Sequence, residues 1–386
     1  MTLTRSTTTV LTAAALGGVL LLTGCEPNQK SGDGSITVSS TDDKCDVSAE
    51  KAPAGTLKFD VTNDGLKVTE FYLLGEDGLR IIGEVENIAP GLNRSLTVTA
   101  PEGKYFTACK PGMVGDGIRG DFTVTKSEGG TEVAAEDSQL ADQATTQYAS
   151  YVKDQTEQLQ SGTEKFAQAY KDGDDAEARK LYASVRMHWE RIEPVAESFG
   201  DIDPKLDLRE ADLVDGQEWT GWHLLEKDLW PPKDSYTALS DADRKKYADL
   251  LVSDTKVLFD RTRDITFTPD QLSNGAKELL NEVATGKVTG EEEIWSHTDL
   301  WDFQANVDGA RIAYEDLQPL LATRDKELDA TLKTRFDDLQ KLLDKHKDGD
   351  GFVLYTDLSK KEIKELADSV NALSEPLSTL TEKVVG

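Results

Sequence analysis

The sequence predicts a multidomain β-plus-α protein, an N-terminal β-sandwich followed by an all-α helical bundle. Two changes of texture and one change of composition carry this reading. Short alternating runs separated by turn residues fill the chain from Ser35 to about Lys126, and apolar residues at helical spacing fill it from about Asp137 onward. All six tryptophans and all four histidines lie in the second region.

Ahead of both regions stands an apolar leader. Arg5 is followed by an uncharged stretch from Ser6 to Leu22 and then by Leu22-Thr23-Gly24-Cys25. A hydrophobic core of this length, ending in a small residue and a cysteine, predicts a signal peptide over residues 1–24, with cleavage before Cys25 and lipidation of its thiol. Residues 25–35 are polar and rich in turn formers, so they read as a lipidated tether. The mature chain is therefore expected outside the cytoplasm, held by its lipid to the outer face of the cell membrane.

The sandwich is expected over residues 36–126. Its strand-like runs are ITVSS, TLKFDVTNDG, EFYLLGEDG, IIGEVENIAPG, RSLTVTAPEG, KYFTACKPG and GDFTVTK, or about seven strands at sandwich spacing. Turn residues at Asn63-Asp64-Gly65, Pro90-Gly91 and Pro111-Gly112 punctuate them. With Cys25 removed, Cys45 and Cys109 remain as an even pair in an oxidising compartment, which predicts a disulfide; a pair of metal thiolates is the alternative. The region has no histidine, so it cannot host a blue-copper centre, which needs two. Glu70, Glu84 and Glu86 are its other donors, the last two on one face of a strand by alternation.

Residues 127–136 carry no apolar period and read as a linker. Residues 137–386 then form the bundle, beginning with Leu140, Ala144, Tyr148, Tyr151, Val152, Leu159 and Phe166 at helical spacing. Pro194 interrupts the second helical run. The length suits one domain or two stacked bundles. Asp348-Gly349-Asp350-Gly351 suggests a calcium loop, but His346 and Tyr355 stand where an acceptor and the closing glutamate belong, so it reads as a turn.

Three segments concentrate the chemistry: MHWERIEPVAE (187–197), EWTGWHLLEKDLW (218–230) and EEEIWSHTDLWDF (291–303). On a helix His223 and Glu226 share a face, as do Glu190, Glu193 and Glu197. Converging inside a bundle, such faces make a carboxylate and imidazole nest of the kind that holds iron, manganese or zinc rather than copper(I). Set against this, a lone His-x-x-Glu pair recurs by chance as a surface hydrogen bond, Glu190 and Glu193 suit a solvated face, and Trp189, Trp222 and Trp230 suit the core. No His-Glu-x-x-His, Gly-x-Ser-x-Gly or phosphate-cradling glycine loop is present. The formal charge of −29 attracts cations and argues against nucleic acid as a partner.

The run VTEFYLLGEDGLRIIGEVENIAPGLNRSLTVTAPEGKYFTACKPGM resembles the cupredoxin-like N-terminal domain of the EfeO family, the extracytoplasmic components of EfeUOB-type iron-uptake systems. HWERIEPVAESFGDIDPKLDLRE, WTGWHLLEKDLW and SHTDLWDFQANVDGA resemble the imelysin-type, peptidase-like domain of the same family. The resemblance implies a protein that captures iron, as Fe2+ or Fe3+, and passes it to an EfeU-type permease, with an EfeB-type haem peroxidase as a further partner. Copper and zinc are additional candidate metals. The resemblance implies His223, Glu226, Glu190, Glu193 and Asp207 as metal ligands in the helical domain, and Cys45, Cys109, Glu70, Glu84 and Glu86 as a second donor group in the sandwich. It also carries a peptidase label, which no nucleophile or water-activating set supports, so the chain is expected not to be an enzyme. A metallopeptidase-like enzyme and a polysaccharide-binding lipoprotein are the alternatives.

Overall fold

The computed structural model describes residues 35–386, apart from 77, 79–80, 114–116, 127–134, 215, 234–235 and 386. The expected signal segment, the Cys25 lipidation site and most of the tether and linker lie outside the described residues.

Among the described residues nine strands build the sandwich: β1 (Ile36–Ser40), β2 (Cys45–Val47), β3 (Lys51–Pro53), β4 (Gly55–Asn63), β5 (Thr69–Leu74), β6 (Ile81–Ile88), β7 (Asn93–Ala100), β8 (Gly103–Cys109) and β9 (Ile118–Thr125). They form sheets ordered β2-β1-β4-β7 and β3-β9-β8-β5-β6. The two strands beyond the expected seven are β2 and β3, each three residues long and too short for alternation to reveal. β1 runs parallel to β4 and β3 parallel to β9, so the sandwich is mixed rather than wholly antiparallel. Its core is Phe59, Val61, Phe71, Leu73, Val85, Val98 and Phe122, all buried on the inner faces of the two sheets.

Cys45 and Cys109 are joined in a disulfide that ties β2 in one sheet to β8 in the other, with Cα atoms 5.4 Å apart. The bond consumes both thiols, so neither sulfur is a free thiolate for a metal.

Ten α-helices follow among the described residues: α1 (Ala135–Lys171), α2 (Asp175–Glu190), α3 (Asp203–Leu206), α4 (Trp222–Leu229), α5 (Asp241–Thr262), α6 (Pro269–Thr285), α7 (Asp299–Arg324), α8 (Lys326–Leu343), α9 (Lys360–Leu377) and α10 (Leu380–Val385). One hydrophobic core runs from Ala144 to Val384, so the bundle is a single domain and not a stack of two. α1 packs along α2, α5 and α7 and buries Tyr148, Val152, Leu159 and Phe166 on the stripe its spacing foretells. Trp189 and Trp222 are fully buried within this core. The Asp348–Gly351 segment is a tight hairpin joining β10 (Lys347–Asp348) to β11 (Gly351–Phe352), with Gly349 at φ +57°, in keeping with a turn.

Pro194 shapes the most consequential irregularity. α2 stops at Glu190, and a 3-10 segment, Glu193–Ile202, replaces its continuation. Glu190, Glu193 and Glu197 are therefore not one helical face, which corrects the expectation from spacing. α6 lies so close to this segment that a Cβ on Gly275 would fall 1.7 Å from the Pro194 carbonyl oxygen. Gly221, at φ +89°, admits α4 against the Leu206 carbonyl in the same way.

The sandwich docks on α6 through its edge strands. Asp270 accepts a hydrogen bond from the Thr99 backbone at 2.8 Å, and Asn274 donates to the Thr97 carbonyl at 2.8 Å. These side chains satisfy the free edge of β7, which would otherwise invite another strand.

Removing the inter-sheet disulfide tests how far this small sandwich depends on it. The 64-residue separation it spans corresponds to about 4 kcal/mol in the chain-entropy picture. The double variant Cys45→Ser/Cys109→Ser is expected to lose about 2–5 kcal/mol in guanidinium unfolding while keeping its secondary structure. An unchanged midpoint would show that packing alone holds the two sheets.

Candidate metal centre

Where α2 ends, α4 begins and the 291–302 segment turns into α7, the bundle core becomes polar. Arg186, on the last turns of α2, has no exposed surface and is ringed by carboxylates. Its Nη2 lies 2.7 Å from Glu190 Oε1 and 3.1 Å from Glu292 Oε1, and its Nε 2.6 Å from Glu293 Oε1 and 3.6 Å from Asp302 Oδ2. Nη1 pairs with Asp207. Lys287, also buried, lies 3.0 Å from Glu190 Oε2 and 2.7 Å from Glu193 Oε2. Asn306 donates to both of those glutamates at 2.8 and 2.6 Å.

His223 stands at the start of α4 on the far side of these acids. Its Nδ1 lies 3.3 Å from Glu226 Oε2, so the three-residue spacing does place the pair in contact. Glu226 Oε1 accepts from the backbones of Trp295 and Ser296 at 3.0 and 2.7 Å, which fixes the carboxylate and, through it, the ring. Nε2 is buried without a hydrogen-bond partner and faces Asp207 Oδ1 at 3.5 Å and Glu292 Oε1 at 3.6 Å. These separations are too long for hydrogen bonds but suit donors around one shared ion at about 2.0–2.2 Å from each. Two donor triplets share this imidazole: Asp207, His223 and Glu292 on one side, His223, Glu226 and Glu293 on the other, each with its ligand atoms within 4.8 Å of one another.

Electrostatics sort the acids into two sets. Burial pushes the Asp207 carboxyl up, but Arg186 and His223 hold it well below its ordinary value. Glu292 is likewise drawn down to about 2, against burial, by Lys287 and His223, and Glu226 is lowered by His223. Burial raises Glu293, Asp302 and Glu193 well above the usual range, with neighbouring carboxylates adding to it. Burial and Arg186 push His223 down, yet Asp207, Glu226 and Glu292 outweigh them and raise it well above its ordinary value. With no cation bound, the cluster compensates its acids with protons.

Of the residues expected from sequence, His223, Glu226 and Asp207 come together. Glu190 and Glu193 reach the same cluster, but their oxygens are taken up by Lys287, Asn306 and, for Glu190, Arg186, and neither joins a triplet with His223. Glu292 and Glu293 were not singled out by sequence reasoning. They belong to the 291–303 segment, one of the three that concentrate the chemistry in the sequence, but three consecutive glutamates carry no period that tells which of them turns inward.

The sandwich donors do not form the group expected of them. Alternation along β5 puts Phe71 and Leu73 in the core and Glu70 and Tyr72 on the outer face, and Cys109 pairs across from Phe71. Val85 is likewise a core residue, so Glu84 and Glu86 point outward too. The cysteines are thus oxidised and inside, the glutamates outside. Glu70 accepts from the Tyr72 hydroxyl at 2.7 Å. Glu84 and Glu86 instead line a cavity of about 280 Å³ between sandwich and bundle, facing Glu197, Glu278 and Glu282, and its inner wall reaches Asp207 and Glu292. The cavity therefore opens onto one edge of the His223 cluster.

This architecture, a cupredoxin-like sandwich mounted on a helical bundle with a buried imidazole and carboxylate core, defines a two-domain protein of the imelysin class. Residues 144–380 match the imelysin family, and residues 13–124 match the cupredoxin-like domain. An "Efem/EfeO family lipoprotein" of Staphylococcus haemolyticus (strain JCSC1435) is 43% identical over 269 residues, 69% of this chain and 92% of the relative. One of the same description from Staphylococcus aureus (strain NCTC 8325 / PS 47) is 46% identical over 242 residues, 62% of this chain and 84% of that one. The chain belongs to the Efem/EfeO family.

The cavity acids yield a test independent of any metal. Burial first, then Glu70, Glu278 and Glu282, push Glu86 from 4.5 up to about 8. Between those values the folded chain holds a proton that the unfolded chain has released, so this group's contribution to stability falls as pH rises. Glu86→Gln is therefore expected to raise Tm in chelator-containing buffer, little near pH 4.5 and progressively more towards pH 8. A gain independent of pH would place the origin elsewhere.

Proposed function

We propose that this protein is an extracytoplasmic iron-binding lipoprotein with an EfeO-type role, capturing iron outside the membrane and delivering it to an EfeU-type permease in a system that includes an EfeB-type haem peroxidase. The observation that carries the reading is the His223 Nε2, buried without a hydrogen-bond partner and facing two ionised carboxylates, Asp207 and Glu292. Iron is the cargo. Nitrogen and oxygen donors of this kind suit Fe2+, Fe3+ or zinc, and the cysteines that would favour copper(I) are locked in the sandwich disulfide.

Asp207, His223 and Glu292 would hold the ion, and Glu226 orients the imidazole through Nδ1 as an outer partner does in many metal sites. The acid-lined cavity beneath Glu84 and Glu86 offers a cation a route inward from solvent, in a chain whose charge of −29 already draws cations to its surface. The lipidated Cys25 would keep the chain at the membrane, in accord with relatives that are named as lipoproteins. Those relatives are not named as enzymes, and we infer that this chain binds rather than cleaves.

His223→Ala and Glu292→Gln are each expected to weaken iron binding at least tenfold by calorimetry and to abolish the rise in Tm that iron gives the wild type. Wild-type affinity in both folded variants would refute the site. Because His223 and Glu293 hold protons when no cation is present, iron binding is expected to release protons and to weaken as pH falls. The enthalpy measured in buffers of different ionisation heat counts those protons; a count of zero would contradict the proposed ligands.

A further inference from the structure

On a different part of the seam between sandwich and bundle, the charge pattern reverses. Lys58 on β4, Arg94 on β7 and Lys277 on α6 line one cavity of about 280 Å³. Ser95 and Thr379 also line it, their hydroxyls donating to Asp60 Oδ1 at 2.6 Å and to the Pro376 carbonyl at 2.8 Å, and Glu382 is the one acidic side chain in its wall among the described residues. Lys277 is nearly buried and pairs with Glu278 at 2.7 Å. Lys58 and Arg94 are half-buried, and among the described residues neither has a carboxylate within ion-pair distance. They share a cavity in a chain with 72 acidic and 43 basic residues, where acidic partners are abundant.

Glu278 already compensates Lys277, so the uncompensated charge in the cavity is that of Lys58 and Arg94, and an anion between them would neutralise it. A guanidinium fork beside ammonium groups is the donor set that binds phosphate-type oxygens. We propose that this cavity binds a small, multiply charged oxyanion of the phosphate class, either free or as the headgroup of a phosphoryl compound. Lys58 and Arg94 come from the sandwich and Lys277 from the bundle, so the bound anion clamps one domain onto the other.

The test uses the mature chain in metal-free buffer, since iron would precipitate with phosphate. Inorganic phosphate is expected to raise Tm saturably, on the order of 2–4 °C at a hundredfold excess over Kd, beyond chloride at matched ionic strength. Calorimetry should give the same Kd as the melting curve. Lys58→Gln and Arg94→Gln should each weaken phosphate at least tenfold while melting normally in chloride. Binding of glycerol 3-phosphate alongside inorganic phosphate would assign the site to headgroups as well; binding of inorganic phosphate alone would assign it to the free ion. A phosphate effect equal to that of chloride, or one retained in full by both variants, would overturn the proposal.

Discussion

Arg186 is the residue on which the interior of this bundle depends. A guanidinium with no exposed surface has to recover its lost hydration from fixed acids, and it does so from Glu190, Asp207, Glu292, Glu293 and Asp302 at once. Those acids come from α2, the Asp207 loop, the 291–293 turn and α7, so one side chain fixes the relative placement of four segments. Lys287 repeats the device for Glu190 and Glu193. The two cations still fall short of the acids around them. Protons on His223, Glu293 and Asp302 make up the difference when nothing else is bound. The iron site proposed above would therefore already be assembled, and short of positive charge, before an ion arrives.

The backbone serves the same end. Pro194 ends α2 so that the following segment turns away, and the approach of α6 at Gly275 pins that turn where it borders the cluster. Gly221 lets α4 start against Leu206, which brings His223 to Asp207. Docking of the sandwich through Asp270 and Asn274 then sets β6 above the cavity, so that an outer face of the sandwich, rather than its core, meets the acids of the bundle.

Much of this was legible in the chain. Alternation gave the long strands and put Glu84 and Glu86 on one shared face, though not which face, and helical spacing gave the buried stripe of α1. His223 and Glu226 stood out because an imidazole and a carboxylate three apart lay among tryptophans. What stayed hidden depended on contacts between distant residues. Arg186 looks like any helical arginine until Glu292, 106 residues on, is seen against it. Glu190 and Glu193 carry the right chemistry, but Lys287 and Asn306 claim their oxygens from about a hundred residues away. β2 and β3 were too short for any period, and the faces of β5 and β8 that separate cysteine from glutamate became apparent only once the strands were paired.

The central claim is that the ion binds beside the His223 imidazole, between Asp207 and Glu292. Anomalous diffraction at the iron edge, from crystals of the mature protein loaded with iron, tests it most directly. The account predicts a peak about 2.0–2.2 Å from His223 Nε2, with Asp207 and Glu292 oxygens at similar distances. Iron found only among Glu84, Glu86 and Glu278 in the cavity, with His223 free of it, would contradict the account.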